Sequence, residues 1–341
     1  MDIGSSSVKI LELSKNGKAP MNLALETFGS EAVSDGEIRD KALVQNTILT
    51  IFNKLKIKTK KRIGSVALGG RGVIIKRMIV MPESGVDILD QAAIDAQQVI
   101  PSEDDDLYLR FAPLAKAKKD GSVPMVAVGA RRDVVESYVS LIKAVGLKVG
   151  IIDCTALSLA NMFTYNFKVD DCFSIIVNIG ASSSEMVILY EGEFLYTRAI
   201  NFGGYEYNEA IMQDLSVDYE NAENLKLSAA TDGQVAESIK GALQRVNEQL
   251  CQEVNTTLSH FFDAEDNLPT SSKDCRIFLT GGGAKTLGLE AAIAAGLEMP
   301  VEILNPFRKI KAGASSPLHQ MVQSQGPLFS AAVGLASRSI G

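Results

Sequence analysis

The chain has 341 residues and a net charge of −7, and 46% of its residues are hydrophobic, which describes a globular protein long enough for two domains. The negative charge argues against a general nucleic-acid-binding protein, and the longest apolar runs fall short of the ~20 residues that cross a bilayer. Four dispersed cysteines and two histidines argue against a Cys-x-x-Cys metal site and a Ser-His-Asp hydrolase. The N-terminus lacks the pattern of a signal peptide, so we expect a cytoplasmic protein.

The first 82 residues predict a hairpin, a helix and two further strands. Asn16-Gly17 is a strong signal for a tight hairpin turn, and Val44, Ile48 and Ile51 follow at helical spacing. The predicted strands span 8–13, 22–28, 65–68 and 73–81, and the predicted helix spans 41–55.

From Pro82 onward the pattern changes to that of a small α/β insert with its own core, residues 83–148. Its predicted elements are a helix at 86–100, an acidic loop at Glu103–Asp106, and strands at 107–111 and 124–130. A second helix is predicted to begin at Asp133, with Glu136 completing a capping box. That helix is expected to end before Gly146.

Two stretches, DIGSSSVK at Asp2–Lys9 and NIGASSS at Asn178–Ser184, share one layout. Each leads from an apolar strand through Ile-Gly and small hydroxyl residues into a second strand. Glycine lets the backbone turn sharply, and its neighbours supply N–H and hydroxyl donors for an anion, so phosphate is the natural ligand. Lys9 adds positive charge, whereas Asp2 would repel phosphate unless a cation such as Mg²⁺ intervenes. One such turn alone is better explained as a hairpin with solvated serines, but two copies favour phosphate.

Two later motifs extend this pattern. In IFLTGGGAKTLGLE, an apolar strand runs into Gly281, Gly282 and Gly283 and then a helix, which allows close approach of a flat ligand at the end of the strand. In AENLK, Glu223 and Lys226 share one helix face. Without the other motifs, an ordinary surface ion pair would be the better explanation of these two residues. Residues 236–262 predict a long amphipathic core helix.

The motifs DIGSSSVK, DCTALSLAN, NIGASSS, AENLK and TGGGAKTLGLE, in this order over nearly the whole chain, resemble those of the actin-like ATPase superfamily. GGRGVIIKRMIVMPE and VAVGARRDVVESYVSLIKAVGLKVGIIDCTALSLAN resemble the PilM family of type IV pilus assembly. The resemblance implies an α/β actin-like ATPase fold, with two similar mixed-sheet halves around a nucleotide cleft and an FtsA/PilM-type insert. The implied parts are a first half (1–82, 149–172 and 320–341), the insert (83–148), a second half (173–215 and 276–319) and an outer helical subdomain (216–275).

The same resemblance implies that ATP and Mg²⁺ are the ligands. The implied nucleotide-binding residues are Gly4, Ser5, Ser6, Ser7, Lys9, Asn178, Gly180, Ser182, Ser183, Ser184, Glu223, Lys226, Gly281, Gly282, Gly283 and Lys285. Asp2 would face Mg²⁺ through water. The superfamily usually has Asp where this chain has Asn178, so we expect nucleotide binding with slow or absent hydrolysis.

The resemblance also implies an adaptor role at the inner face of the inner membrane. Members of the family hold the cytoplasmic N-terminal peptide of the membrane protein PilN between the insert and the first half, and so join the pilus platform. We expect membrane association through partners only. The basic run Lys54–Arg62 is most simply a solvated helix end and loop, with acidic lipid headgroups or an assembly ATPase as the alternative contact.

Two other functions compete with this one. An FtsA-like filament protein would need an amphipathic C-terminal anchor, whereas residues 329–336 predict an apolar, buried helix. A small-molecule kinase of the same superfamily would need a carboxylate base, and the sequence offers no clear candidate.

The first phosphate turn lies unusually close to the start of the chain. Only Met1 and Asp2 precede Ile3-Gly4, although a strand usually has about 5–6 residues. We therefore expect the natural protein to begin upstream with an apolar run, and a true start with a frayed first strand is the alternative.

Overall fold

The computed structural model describes residues 1–29, 32–70, 72–100, 106–168, 172–264 and 275–338. Its strands are β1 (Asp2–Ile3), β2 (Ser7–Leu13), β3 (Pro20–Thr27), β4 (Val33–Ser34), β5 (Glu37–Ile38), β6 (Ile63–Leu68), β7 (Val73–Val80), β8 (Leu107–Pro113), β9 (Val123–Arg131), β10 (Lys148–Cys154), β11 (Phe173–Ile179), β12 (Ser184–Tyr190), β13 (Glu193–Ile200), β14 (Cys275–Thr280) and β15 (Val301–Ile303). Its helices are α1 (Lys41–Lys54), α2 (Ile88–Ala96), α3 (Arg132–Ala144), α4 (Thr155–Asn166), α5 (Gly204–Leu215), α6 (Tyr219–Ser228), α7 (Gly233–Ala264), α8 (Leu289–Leu297), α9 (Leu318–Gln325) and α10 (Ser330–Ser337).

The first half is built on the predicted hairpin, which is confirmed. Strands β1, β2 and β3 form an antiparallel sheet in that order, with Asp2 opposite Lys9, while β6 and β10 pair in parallel. Helices α1 and α3 share one core with these strands, and Val8, Ile48 and Leu141 are among its buried side chains. The periodicity that predicted α1 reflects this burial, because its apolar residues recur on the face that meets the sheet.

The insert has a separate antiparallel sheet in the order β7-β9-β8, on which α2 packs. Its small core includes Met78 and Met125. The helix predicted at 86–100 is present as the shorter α2. Asp87 fixes its start, because the Asp87 carboxylate accepts a hydrogen bond from the Leu89 amide.

The boundary between the insert and the first half, as judged from packing, differs from the predicted range 83–148. Strand β7 belongs to the insert sheet although it precedes residue 83, and α3 packs in the core of the first half. The compact unit with its own sheet therefore runs from β7 to β9. Most of the predicted acidic loop Glu103–Asp106 lies outside the described residues.

The capping box predicted for α3 is wrong. Strand β9 continues through Arg131 and the helix follows at once, so Arg131 takes the N-cap position instead of Asp133. The Asp133 carboxylate, in the first turn, accepts a hydrogen bond from the Val134 amide and pairs with Arg131. The predicted end is confirmed, because Gly146 has φ +81° and its amide donates to the Lys143 carbonyl.

The second half contains a five-stranded mixed sheet in the order β13-β12-β11-β14-β15. Strand β11 is antiparallel to β12 and parallel to β14. The predicted long helix is confirmed as α7, whose buried stripe includes Leu250 and Val254 and packs with β11 and β14. Within the described residues, no helix combines the length and apolar character needed to span a membrane.

A third core joins the two halves. It contains Leu23 from β3 and Phe163 from α4 together with Ile176 and Phe278 from the second-half sheet, and Phe329 adds the chain's last segment. The two halves are therefore connected by continuous apolar packing as well as by the chain.

Candidate functional site

One cleft between the halves collects most of the residues predicted from the sequence. Those that line it are Asp2, Gly4, Ser5, Ser6, Lys9, Asn178, Gly180, Ser183, Ser184, Gly281 and Gly282. They come from three turns, which follow β1, β11 and β14. These turns are far apart in the sequence, so their convergence is a property of the fold.

The first and second turns are closed by the same backbone hydrogen bond. The Gly4 amide donates to the Ser7 carbonyl at 3.0 Å, and the Gly180 amide donates to the Ser183 carbonyl at the same distance. Gly180 is required by packing, because a Cβ atom there would lie 2.6 Å from the Ser183 carbonyl oxygen. Each turn thus reverses the chain over four residues, and the weak sequence repeat corresponds to a structural repeat.

The two turns also touch each other across the cleft. Ser5 Oγ and Ser182 Oγ are hydrogen-bonded at 2.6 Å. This contact joins the first half to the second where a phosphate group would lie between two sets of donors. A phosphate bound between the turns would therefore compete with the Ser5–Ser182 hydrogen bond.

The three glycines of the third turn have different structural roles. A Cβ atom on Gly281 would lie 2.4 Å from the Ile179 carbonyl oxygen, and one on Gly283 would lie 2.3 Å from Ile179 Cγ2. Both are therefore needed for the close approach of this turn to β11. Gly282 has no such neighbour, since a Cβ atom there would meet nothing within 4 Å. Gly282 lines the cleft, and it is the glycine of this turn whose open side is left for a ligand.

Asp2 and Lys9 form an ion pair, which corrects one step of the sequence argument. Their charged atoms are 3.4 Å apart and both side chains are largely buried. The pairing follows from the β1–β2 register, which places the two residues opposite each other. Asp2 therefore needs no external cation to balance it. Within the described ranges, no group of three acidic, histidine or cysteine side chains forms a metal site.

Four other predicted residues make contacts away from the cleft lining. Glu223 and Lys226 pair at 2.6 Å, and both bond to Asn208 of α5. Lys226 Nζ also donates to the Gly204 carbonyl at 3.1 Å, and its side chain is only 12% exposed. Ser7 is buried in β2. Lys285 reaches a carbonyl at the end of α9, that of Ser324.

The network around Lys226 supports the second turn. Amides of Gly204 and Tyr205, at the start of α5, donate to the carbonyls of Gly180 and Ala181 at 2.9 and 2.8 Å. Gly203 permits this contact, because a Cβ atom there would lie 2.7 Å from the Ala181 carbonyl oxygen. Sequence analysis missed this pair of glycines. The double glycine immediately before a helix was the signal for it.

Sequence analysis also missed Glu185. It lies directly opposite Asn178 in the β11–β12 ladder, and both residues line the cleft. Burial raises the pKa of the Glu185 carboxyl to about 7, although a hydrogen bond from Thr197 acts in the opposite direction. A carboxyl group that gains and loses its proton near neutral pH can act as a general base. Glu185 is thus a candidate for the carboxylate base that the sequence did not offer.

Comparisons with known proteins agree with this architecture. A family model described as type IV pilus assembly protein PilM matches residues 1–340. The chain belongs to the PilM family. The family predicted from the motifs is therefore confirmed, and it favours a pilus-assembly role over a cell-division filament or a small-molecule kinase.

Solved structures show the same fold. A PilM–PilN type IV pilus biogenesis complex has a TM-score of 0.83 at 24% identity, over 100% of this chain and 97% of that chain. The ethanolamine utilization protein EutJ from Carboxydothermus hydrogenoformans has a TM-score of 0.58 at 15% identity, over 98% and 87% of the two chains. MreB5 of Spiroplasma citri bound to ADP has a TM-score of 0.52 at 14% identity, over 97% and 92%. The predicted actin-like fold is confirmed.

Proposed function

We propose that this chain is an ATP-binding adaptor of the type IV pilus assembly platform, which holds the cytoplasmic N-terminal peptide of a PilN-like membrane protein. One observation carries the nucleotide part of the proposal. Three turns from distant parts of the chain meet at one cleft with their glycines and hydroxyl groups toward a common space. The ADP-bound MreB5 structure has the same fold.

The cleft residues suit a triphosphate. Ser5 and Ser6 of the first turn and Ser183 of the second supply hydroxyl donors from opposite sides, and Lys9 supplies a positive charge. The open side of Gly282 would accommodate the adenosine. Glu223 and Lys226 remain predicted contacts of the nucleoside, and Lys226 also positions the second turn through Gly204.

Magnesium fits this site only together with the nucleotide. Asp2 supplies one carboxylate and is already paired with Lys9, and Mg²⁺ in nucleotide sites is usually held by one or two carboxylates together with phosphate oxygens. Asp2 would hold Mg²⁺ through water, and the metal would supply charge neutralisation at the phosphates. Glu185 would activate a water molecule, so slow hydrolysis is compatible with Asn178 in place of the usual acid.

A groove beside the insert supports the partner part of the proposal. It is lined by Gly69 and Gly70 at the end of β6, by Ile74 and Lys76 of β7, and by Ala199 of β13. It therefore lies where the insert meets the first half, with β13 of the second half forming its far wall. Its lining is partly apolar, and β7 is an edge strand of the insert sheet. These features suit an extended peptide.

Isothermal titration tests both parts together. ATP with Mg²⁺ and a synthetic N-terminal peptide of the PilN-like protein are each titrated alone and in the presence of the other, and we expect both to bind. The variant Ala199→Arg, at an exposed position in the groove, should abolish peptide binding. Ala112→Arg, equally exposed on β8 at the opposite edge of the insert sheet, is the matched control. Peptide binding lost in Ala112→Arg and kept in Ala199→Arg would reject the groove.

A further inference from the structure

The basic run Lys54–Arg62 has no part in the cleft or the groove described above. Between Lys41 and Arg62 the chain has seven basic residues and no acidic one, although its net charge is −7. Lys54 pairs with Glu26, and Arg62 pairs with Glu12. The lysines between them have no ion-pair partner among the described residues.

The fold adds further lysines to this run. Lys148 lies opposite Ile63 in the β6–β10 ladder, and its amide donates to the Arg62 carbonyl at 2.9 Å. The turn at the end of α3 touches the same loop, because a Cβ atom on Gly146 would lie 2.9 Å from Thr59 Oγ1. Lys143 and Lys148 are exposed and, like their neighbours, have no ion-pair partner in the part of the chain that is described. From Ser137 to Ile152 the chain again contains no acidic residue.

We call this surface the basic edge and define it by Lys56, Lys58, Lys60, Lys61, Lys143 and Lys148, all of which are exposed. It lies where β6 and β10 begin, whereas the cleft lies where they end, at Gly69 and Thr155. The basic edge and the nucleotide cleft are thus at opposite ends of the same strands. Occupation of one leaves the other free.

Two features of the basic edge are poorly explained by solvation alone. Ile63 is 68% exposed in the midst of these charges. Lys56 and Lys61 have φ values of 53° and 71°, a left-handed conformation that glycine and asparagine adopt at lower cost. If the turn were the only requirement, glycine or asparagine would adopt this backbone conformation at these two positions with less strain than lysine.

We propose that the basic edge binds the anionic headgroup surface of a phospholipid membrane directly, with Ile63 entering the headgroup region. Several unpaired lysines spread over a broad surface suit a lattice of phosphates, since each contributes independently near an anionic membrane. An exposed aliphatic side chain among lysines is typical of interfacial contact. Nucleic acid is a poorer fit, because the six residues of the edge include no arginine and no aromatic side chain for stacking, and the neighbouring Arg62 is already paired with Glu12.

The proposal concerns direct lipid contact and does not rest on PilN or nucleotide binding. It is tested by sedimenting the purified full chain with vesicles of phosphatidylcholine that contain either 30% or no phosphatidylglycerol. We expect binding to the anionic vesicles only, weakened strongly between 50 and 500 mM salt.

Charge-reversal variants locate the contact. Lys58→Glu/Lys60→Glu/Lys61→Glu should weaken binding by about a hundredfold or more, since each lysine contributes roughly fivefold. The matched control is Lys116→Glu/Lys118→Glu/Lys119→Glu, the same change in net charge at an exposed turn of the insert. Circular dichroism checks that both variants are folded. Ile63→Ser gives a second test that leaves the charge unchanged, and we expect it to weaken vesicle binding severalfold.

Three results would overturn the proposal. The full chain fails to sediment with anionic vesicles at 50 mM salt, or the two triple variants lose binding equally, or the chain binds a duplex DNA or poly-glutamate probe while ignoring the vesicles. The last result would assign the edge to an acidic macromolecule instead of a membrane.

Discussion

Gly281, Gly282 and Gly283 are adjacent and identical in sequence, yet the structure separates them by what surrounds each one. The outer two are fixed by contact with Ile179, and the middle one faces open space. A substitution at Gly282 therefore tests ligand contact without disturbing the packing of the third turn against β11. The same change at its neighbours would test only folding.

We predict that Gly282→Trp abolishes ATP binding, with affinity reduced by about a hundredfold or more, because the indole ring occupies the space for the nucleoside. Thermal stability without ligand should be close to that of the natural protein. Isothermal titration measures the affinity, and Gly313→Trp, another glycine with open space around its Cβ position, is the control. Undiminished ATP binding by the Gly282 variant would show that the adenosine lies elsewhere.

Asn178 of β11 and Glu185 of β12 lie directly opposite each other on neighbouring strands. A carboxylate at position 178 would therefore lie beside the Glu185 carboxylate. We predict that Asn178→Asp raises the rate of phosphate release from ATP when Mg²⁺ is present, because it adds a metal-directed acid. Without Mg²⁺ the two acids repel each other, and the melting temperature should fall. A phosphate-release assay at saturating ATP measures the rate. An unchanged rate would indicate a site that binds nucleotide without hydrolysing it.

Glu185 makes stability depend on pH. The folded protein holds the Glu185 pKa at about 7, above its unfolded value, so the folded state favours the protonated form and loses stability as pH rises from about 4.5 to about 7. We predict that Glu185→Gln removes this loss. The variant should match the natural protein at pH 4.5 and be more stable by about 1–3 kcal/mol at pH 8. Urea unfolding at both pH values measures the difference, and an equal difference at both would contradict the assignment.

The site residues that could be predicted are those whose chemistry is local. A glycine turn with hydroxyl groups can be recognised from six consecutive residues. A second copy of the same pattern in the chain strengthens the prediction for both. The Asp2–Lys9 pair and the position of Glu185 depend on which residues lie opposite in a ladder, and burial of the cleft sets the acidity of Glu185. Neither is visible before the strands are paired.

Two glycines in helices should respond in opposite ways to substitution by alanine. Gly334 lies where α10 crosses α4, and a Cβ atom there would be 1.8 Å from the Ser158 carbonyl oxygen. Gly241 lies in an exposed position of α7 and meets only the end of Arg245. We predict that Gly334→Ala destabilises the protein by about 2 kcal/mol or more, through overpacking, and that Gly241→Ala stabilises it by about 0.5–1 kcal/mol.

Thermal and urea unfolding of the two variants check this pair of predictions. Because the substitutions are identical, the difference between them measures the closeness of the α4–α10 crossing. Equal effects would mean that α10 lies further from α4 than its contact with Ser158 indicates.

Strong periodic elements were predictable from sequence, and their junctions were not. The stripe of α7 and the hairpin at Asn16-Gly17 each carry enough local signal to fix an element. The start of α3 was misjudged because β9 runs directly into it, so tertiary strand pairing overrides the side-chain preference of Asp133. The insert boundary was misplaced for a similar reason, since membership of β7 is decided by its pairing with β9.

At the scale of the whole molecule, the core shared by β3, α4, β11 and α10 ties the halves together. Because neither half can bury these side chains alone, we predict that both unfold in one transition. Hydrogen exchange followed by mass spectrometry at increasing urea concentration should give the same midpoint for peptides from β2 and from β14. Separate midpoints would show that each half is stable by itself.

The Asp2–Lys9 ion pair predicts an order of binding for the proposed ligands. An ammonium group of the protein already neutralises the carboxylate, so a bare magnesium ion meets a competitor and gains little from binding there. We expect the nucleotide-free protein to ignore magnesium and to take up the metal only as a preformed complex with the triphosphate. Cellular magnesium would then act on this protein solely through the fraction of nucleotide that carries it.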